Sequence, residues 1–330
     1  MPIFLKSSDP DFETNFKALL YIKRKIDLDV DAVVANILTD VRSRDDTAVI
    51  ELTAKFDQFE LTSETMLFSA AEIDAAIAAV PGEEREALEL AAARIRAYHE
   101  RQFPADAWWK DDSGVQLGWR WTPIESVGLY VPGGLASYPS SVLMNAIPAN
   151  VAGVENLSIC VPTPRGEVNP LVLLAARLSG VETVYRIGGA QAIGAMAYGT
   201  ETVTKVDKIT GPGNAFVAAA KRQVYGTVGI DMIAGPSEIL VIADKDNNPD
   251  WIAMDLLSQA EHDESAQSIL ITDDAAFGKA VVVAIDTALE TLERRDIARA
   301  SWRDFGAVIV AKDLCEAATL SDRIAPEHLE

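Results

Sequence analysis

Residues 183–198 read TVYRIGGAQAIGAMAY. A β-rich run passes through two adjacent glycines, Gly188 and Gly189, directly into an apolar helical pattern. The same order of strand, tight loop and helix begins three more times, at Val127, Leu157 and Val206. Four such units in succession are typical of a parallel sheet whose strands are joined by crossover helices, so the sequence predicts an α/β fold.

A second α/β series follows beyond residue 236. In it we predict strands over 238–243, 268–272 and 306–311 and helices over 249–262 and 277–294. The first hundred residues have helical spacing, and the predicted helices cover 29–44, 46–56, 70–80 and 83–101. We place one domain crossing near Gly128, where the pattern changes, and another at Gly235-Pro236, a strong breaker of regular structure.

The composition narrows the class of protein. A chain of 330 residues is too long for one ordinary core, so we expect at least two domains. The formal charge of −21 disfavours nucleic acids and anionic membranes as partners. No apolar run is long enough to span a membrane and residues 1–25 lack a signal-peptide pattern, so we expect a cytoplasmic protein. Cys160 and Cys315 lie in apolar stretches, and we expect both to be buried thiols without a disulfide.

Two of the three histidines occur in short polar motifs. The first motif is QAEH at 259–262, within a predicted helix. Residues three apart share one helix face, so Gln259 and His262 can converge on one ligand such as a zinc ion. Glutamine is an uncommon zinc donor, and two donors leave a zinc site incomplete. A solvated polar helix face therefore remains the alternative for this motif.

The second motif is the adjacent pair Glu327-His328, which follows Pro326. A carboxylate can activate water as a general base, and an imidazole can take and return a proton. Neighbouring side chains point apart, so the two would act on different faces of a substrate. The alternative is structural, because a proline followed by an acid is also typical of a helix start.

Glycine loops at the predicted strand ends are candidates for binding a cofactor. In an open parallel sheet, ligands bind beyond the carboxyl ends of the strands, where loops enter helices. Tyr130, Gln191 and Asn214 flank the loops at 188–189 and 211–213 and could contact a pyrophosphate or a base. None of the loops has the G-x-G-x-x-G spacing, and no acidic residue stands out as a ribose partner. From these residues alone, either a nucleotide-binding site or ordinary turns would explain the glycine loops.

Taken together, the motifs resemble the histidinol dehydrogenase family over almost the whole chain. The segments that carry the resemblance are YVPGG at 130–134, YPSSVLMN at 138–145, RIGGAQA at 186–192, GPGN at 211–214, GIDMIAGPSE at 229–238, QAEH at 259–262 and PEHL at 326–329. Ordered matches of this length make a chance resemblance negligible.

The resemblance implies the roles of individual residues. Gln259 and His262 are similar to the family's zinc ligands. The same two residues, together with Ser237 and His328, resemble its substrate contacts. Glu327 and His328 resemble the family's catalytic pair. The residues that resemble its NAD contacts are Tyr130, Gln191 and Asn214. The implied reaction is the oxidation of L-histidinol to L-histidinaldehyde and then to L-histidine, with two NAD+ and with Zn2+ orienting the substrate.

The resemblance also implies the architecture. It consists of two Rossmann-like parallel-sheet domains, the second inserted in the first, with an N-terminal helical arm over 1–25. Domain 1 would be discontinuous, over 26–128 and 237–330, and would carry the metal and catalytic motifs. Domain 2 would cover 129–236 and hold the NAD-binding loops. Members of the family form homodimers that share active sites, which is the assembly expected of the full-length protein.

Two further expectations concern the activity. The family continues beyond the position of Glu330 with a tail that supplies further zinc and substrate ligands, so we expect a truncated chain. One alternative is therefore an inactive folded fragment. The other is a related zinc- and NAD-dependent alcohol dehydrogenase that oxidises a sulfonated diol. The segment at 138–148 resembles the histidinol branch instead.

Overall fold

The computed structural model describes residues 2–22, 28–133, 138–233 and 235–330. Gly134, Ala234, and the start and end of the predicted arm fall outside these ranges. The chain divides into two compact units, of which unit 1 comprises Met1–Ile26 and Gly235–Glu330 and unit 2 comprises Asp27–Ala234.

The helices and strands alternate as α/β units along most of the chain. The elements of residues 2–22 are β1 (Ile3–Lys6) and α1 (Phe12–Ile22). The elements of residues 28–133 are α2 (Leu28–Arg44), α3 (Asp46–Asp57), α4 (Ala70–Ala78), α5 (Gly82–Glu100), β2 (Ala107–Lys110), β3 (Gln116–Trp119) and β4 (Ser126–Tyr130). Those of residues 138–233 are α6 (Pro139–Ala152), β5 (Asn156–Cys160), α7 (Pro170–Leu178), β6 (Thr183–Tyr185), α8 (Gly189–Tyr198), β7 (Lys208–Thr210), α9 (Ala215–Val224) and β8 (Gly229–Ile230).

The remaining elements belong to residues 235–330. They are β9 (Glu238–Ile242), α10 (Pro249–Ala260), β10 (Gln267–Thr272), α11 (Ala275–Ala288), α12 (Arg295–Phe305), β11 (Ala307–Val310), α13 (Leu314–Ile324) and β12 (His328–Leu329). The helix predicted over 277–294 is therefore shorter, because the chain turns after Ala288 and α12 begins separately at Arg295.

Asparagine caps set several of the helix starts. The side chain of Asn169 accepts the N–H of Leu171, and that of Asn248 accepts the N–H of Asp250. In both helices a proline follows the cap at the first helical position. A backbone N–H at that position would have no acceptor within the helix, so proline, which lacks this group, is well tolerated there. These local signals explain why α7 begins at Pro170 and α10 at Pro249.

Unit 2 contains a five-stranded parallel sheet in the order β6-β5-β4-β7-β8. Numbered along the chain, this is the 3-2-1-4-5 order of a Rossmann-like fold. Two apolar clusters lie on its helices, one with α2, α3, α8 and α9 and the other with α4 to α7. The predicted class of fold is confirmed for this unit.

Unit 1 contains the second parallel sheet, in the order β1-β11-β10-β9-β12. Its middle strands also have the 3-2-1 order, and β12 adds an edge strand beside β9. The arm predicted over 1–25 is not separate from this unit. Strand β1 pairs with β11, and Phe16 and Leu19 of α1 are buried in the core beneath the sheet.

Besides including the arm in unit 1, the compact units differ from the predicted domains in where the first crossing falls. The crossing predicted at Gly235-Pro236 is close to the observed boundary, but the one near Gly128 falls inside β4. Residues 28–100 group with the following sheet, because α2 packs on α8 and α9 while α5 packs on α6 and α7. Helical spacing identifies an apolar face, but it does not identify the sheet that the face covers.

A two-stranded antiparallel ribbon, β2 and β3, was not predicted from the sequence. Its tryptophans are largely exposed, and Trp109 contacts Trp119 edge to face with ring centroids 5.1 Å apart. Among the described residues, none from this ribbon belongs to a buried apolar cluster. No helix in the described ranges combines the length and the apolar character needed to cross a membrane.

Gly211 offers a direct test of the sheet packing in unit 2. Its φ is +118°, and a Cβ added there would lie 2.0 Å from the carbonyl oxygen of Tyr130. We expect Gly211→Ala to lower the free energy of unfolding by about 3 kcal/mol or more, through both strain and collision. Urea unfolding measures the loss.

The matched control is Gly226→Ala, because Gly226 also has a positive φ, +99°, but open space around the added Cβ. It should lose only the strain energy, about 1–2 kcal/mol. Equal losses for the two variants would show that the backbones of Gly211 and Tyr130 are not in close contact.

Candidate functional site

The polar motifs of unit 1 meet at one edge of its sheet. Strands β9 and β12 are parallel and begin at Glu238 and His328, so their first residues lie at the amino edge. Helix α10 connects the carboxyl end of β9 to the amino end of β10, and it therefore returns to the same edge. This topology brings the end of α10 to the edge where the Glu327-His328 pair lies.

The backbone of Glu238 holds both members of the Glu327-His328 pair. Its N–H donates to Glu327 Oε2 at 3.3 Å, and its carbonyl oxygen lies 3.0 Å from His328 Nδ1. The two side chains lie side by side, with 3.8 Å between His328 Nδ1 and Glu327 Oε2, and do not point apart as the sequence analysis expected, because both contact the same backbone. The pair thus belongs to an edge strand and the residue before it, and the alternative of a helix start is excluded.

This contact fixes the tautomer of His328. A carbonyl oxygen can only accept a hydrogen bond, so Nδ1 carries the hydrogen and donates to Glu238. In the neutral ring, Nε2 then carries the lone pair. The His328 side chain is 55% exposed, so protons can exchange between this nitrogen and solvent.

The Gln259–His262 pair differs from the prediction in one detail. Helix α10 ends at Ala260, and His262 lies beyond the C-cap in a turn where its N–H donates to the Gln259 carbonyl oxygen at 3.1 Å. Gln259 is buried, yet its side-chain amide has no hydrogen bond to any described residue. His262 is exposed. Neither polar atom of the Gln259 side chain is among the fully buried unpartnered atoms of the described residues, so the amide remains accessible to a ligand.

A complete metal site is not formed by the described residues. Within residues 2–22, 28–133, 138–233 and 235–330, no group of three or more His, Cys, Asp or Glu side chains could hold a metal ion. A catalytic zinc needs about three protein ligands. Gln259 and His262 therefore fit as part of such a set. Ser237 lies at the same edge, where its carbonyl accepts the N–H of Gln267.

In unit 2, the carboxyl edge of the sheet carries the glycine loops. Tyr130 ends β4 and is buried, and its hydroxyl accepts the N–H of Gly189 at 3.1 Å. Burial raises the pKa of the Tyr130 hydroxyl to about 12, so this phenol stays protonated. The first role of Tyr130 is thus to hold the turn that starts α8.

The glycines of these loops serve close packing within the protein. A Cβ added at Gly133 or at Gly188 would lie 2.6 Å or 2.3 Å from atoms of Pro162. The space beside each of these glycines is already filled by protein atoms. Packing against Pro162 is therefore a sufficient reason for glycine at both positions.

Gln191 and Asn214 occupy different environments at this edge. Gln191 is 1% exposed on the first turn of α8, and its amide has no hydrogen bond to a described residue. Asn214 is exposed and caps α9, with Oδ1 accepting the N–H groups of Phe216 and Val217. The start of α9 is therefore capped by its own chain. Asn214 Nδ2 makes no hydrogen bond to a described residue, so Asn214 is the more accessible of the two amides.

An ion pair between buried Lys221 and partly exposed Asp231 fixes the loop at Gly211. Lys221 is 2% exposed; its ammonium forms an ion pair with Asp231 and donates to the Gly211 carbonyl oxygen at 2.8 Å. Asp231 also accepts the Gly211 N–H at 2.8 Å. Both backbone groups of Gly211 are thus held by one ion pair. Lys221 appears in the sequence as an ordinary basic residue near a helix end, so its role could not be predicted.

Two further polar groups near this edge lack partners. Oδ2 of Asp57, at the end of α3, and Oγ1 of Thr163, just beyond β5, are buried without a hydrogen bond to any described residue. Burial raises the pKa of the Asp57 carboxyl above its usual value. Neither residue was singled out in the sequence, because nothing local distinguishes them. Cys160 is buried as predicted, whereas Cys315 is exposed.

The family model for histidinol dehydrogenase matches residues 22–330. The chain is 73% identical to the histidinol dehydrogenase of Ruegeria pomeroyi and 71% identical to that of Cereibacter sphaeroides, covering 100% of this chain and 76% of each relative. The chain belongs to the histidinol dehydrogenase family. A crystal structure of histidinol dehydrogenase from Elizabethkingia anophelis has a TM-score of 0.87 at 38% identity, over 99% of this chain and 75% of that one.

Membership of the histidinol dehydrogenase family makes this protein an oxidoreductase of histidine biosynthesis. It also confirms the resemblance drawn from the sequence motifs and agrees with the two parallel sheets. Of the residues that the resemblance named, unit 1 brings Ser237, Gln259, His262, Glu327 and His328 to one edge of its sheet. Unit 2 places Tyr130, Gln191 and Asn214 at the carboxyl edge of the other sheet.

Removing Lys221 should weaken unit 2. In Lys221→Met the Gly211 carbonyl loses its donor, and the Asp231 carboxylate loses its counter-charge. We expect the free energy of unfolding in urea to fall by about 2–3 kcal/mol. The control is Lys205→Met, because Lys205 is exposed in the same unit. If both variants unfolded like the wild type, the ion pair would not fix this loop.

Removing the Asp57 charge should have a pH-dependent effect. A raised pKa means that the folded state binds this proton more tightly than the unfolded state does. The carboxyl group thus lowers stability as the pH rises from about 3.9 through the raised pKa. We expect Asp57→Asn to melt at a higher temperature than the wild type at pH 7, with the difference closing towards pH 4. The exposed Glu60→Gln should show no such pattern.

Proposed function

We propose that this chain carries out the oxidation of L-histidinol to L-histidine through L-histidinaldehyde, using two NAD+ and a zinc ion that orients the substrate. The observation that carries the proposal is the placement of Glu327 and His328 on the Glu238 backbone, in a chain of the histidinol dehydrogenase family. A proton acceptor and a water-activating carboxylate then lie side by side, as two successive oxidations require.

His328 is the proton acceptor in both oxidations. Its Nδ1 hydrogen is held by the Glu238 carbonyl, so Nε2 takes the proton of the alcohol hydroxyl. The exposed ring releases that proton to solvent before the next oxidation. In the second oxidation Nε2 takes a hydroxyl proton from the hydrated aldehyde.

Glu327 acts between the two oxidations. One of its oxygens, Oε2, accepts the Glu238 N–H, which orients the carboxylate. The other oxygen, Oε1, has no hydrogen bond to a described residue and is available to water. It takes a proton from the water that adds to the aldehyde carbon, and the proton that Glu327 gains then passes to the former aldehyde oxygen, so the hydrate forms.

NAD+, when bound, supplies the hydride acceptor for both oxidations. Unit 2 has the strand order of a dinucleotide-binding fold, and its carboxyl edge carries the unpartnered amide of Gln191. The Tyr130 hydroxyl keeps its own hydrogen and can donate it, and Asn214 Nδ2 is likewise unused among the described residues. These three residues are the proposed NAD contacts.

Zinc, when bound, supplies a Lewis acid that holds the substrate in place. Gln259 and His262 would be two of its ligands and would thereby contact the substrate, and the others would come from residues beyond those described. Ser237 would lie against the substrate at the same edge of the sheet.

We also expect the protein to form a homodimer. Size-exclusion chromatography with light scattering would detect the dimer.

The division of labour between the two catalytic residues is testable with Glu327→Gln. The amide cannot take a proton from water, so oxidation of L-histidinaldehyde should fall by about 100-fold or more, while oxidation of L-histidinol to the aldehyde falls less. NADH formation from each substrate separately measures both steps. Equal losses in the two steps would refute the assignment.

Two controls accompany this assay. Exposed Glu330→Gln, three residues along the chain, should leave both steps unchanged. The wild type is also assayed with sulfopropanediol in place of L-histidinol. NADH formation from the sulfonated diol alone would overturn the proposed substrate, and formation from neither alcohol would overturn the proposed activity of this chain.

A further inference from the structure

The sheet of unit 2 lacks an acid where a dinucleotide-binding fold normally has one. In the 3-2-1-4-5 order, the acid that binds the adenosine ribose lies at the end of the second strand. Here that strand is β5, and the residues after it read VPTPRG at 161–166. No carboxylate occurs in this segment. The next residue, Glu167, is exposed, so a buried ribose-binding acid must come from another element.

Helix α3 brings a carboxylate to this position. Its inner face carries Val49 and Thr53, both fully buried, and Asp57 follows at the same helical spacing. The helix packs on α8 and on the turn at Pro164–Gly166, and the ring of Phe59 closes over Gly166. Asp57 therefore lies beside the end of β5, although it is about a hundred residues away in sequence.

The surroundings of Asp57 favour a ligand over a structural role. Oδ2 is buried and has no hydrogen-bond partner among the described residues. The carboxylate also lies in the last turn of α3, where the helix dipole disfavours a negative charge. Burial, a missing partner and an opposing dipole all lower stability. Such an arrangement is typical of groups that bind a ligand.

Two more polar groups at this edge await partners. Thr163 is fully buried, and its hydroxyl oxygen has no partner among the residues described. The nearly buried amide of Gln191 is equally without one. Thr163 directly precedes the turn on which α3 packs, so its hydroxyl and the Asp57 carboxylate flank the same strand end. Neutral hydroxyls of a ligand would satisfy these groups.

We propose that Asp57 receives the adenosine ribose hydroxyls of NAD and thereby selects NAD over NADP. The inference rests on the proposed NAD-dependent function. A carboxylate accepts hydrogen bonds from the 2′- and 3′-hydroxyls, whereas it repels a 2′-phosphate. Arg165, exposed in the neighbouring turn, is the group that would favour a 2′-phosphate once the acid is removed.

The test is the affinity of the whole chain for NAD+ and NADP+ by isothermal titration. We expect Asp57→Asn to bind NAD+ about tenfold or more weakly than the wild type and to bind NADP+ at least as well as the wild type does. Its preference for NAD+ should therefore fall by at least tenfold. The control Glu60→Gln, three residues away and exposed, should keep the wild-type values. Equal loss for both nucleotides would indicate a structural effect and overturn the inference.

A second measurement needs no variant. NAD+ that lacks the adenosine 2′-hydroxyl should bind the wild type about tenfold more weakly than NAD+, and Asp57→Asn should bind the two nucleotides equally. If the wild type bound both equally, the ribose contact would be excluded. If the wild type bound no NAD+ at all, the proposed function itself would fail. If NAD+ bound the wild type and Asp57→Asn with equal affinity, only the role of Asp57 would be refuted.

Discussion

Parallel pairing within the two five-stranded sheets is the constraint on which the arrangement of functional residues depends. In a parallel sheet all strand starts lie at one edge and all strand ends at the other, and each crossover helix returns the chain to the first edge. In unit 1 the amino edge collects the end of α10 and the starts of β9 and β12. In unit 2 the carboxyl edge collects the glycine loops. Residues far apart in sequence thereby become neighbours without any local signal.

The edge strand β12 shows how little structure is needed to orient a carboxylate and an imidazole. It has two residues, but its pairing with β9 brings Glu327 and His328 against the backbone of Glu238. One peptide N–H and one carbonyl then fix a carboxylate and a ring tautomer. A backbone contact of this kind is independent of the side chain at position 238, so it places few demands on the sequence there.

The carboxyl edge of the sheet in unit 2 combines tight packing with groups that lack partners. Gly188 and Gly211 leave no room for a Cβ, and the Lys221–Asp231 ion pair holds the second of these loops. Rigid loops set the positions of the unpartnered groups on Asp57 and Gln191. Stability lost at these groups is offset by the buried cores on both faces of the sheet. Tightly packed loops that hold polar atoms without hydrogen-bond partners are an arrangement that favours ligand binding.

Most of the α/β order, the family and the residues of both motifs follow from the sequence alone, because strand and helix periodicity, capping and motif spacing are local properties. The start of α7 after Asn169-Pro170 is an example. Tertiary structure alone decided which sheet the first helices cover, that Glu238 orients His328, and that Asp57 lies beside β5. These depend on packing between elements distant in the chain, where a residue's partner is set by the fold and leaves no trace in the neighbouring sequence.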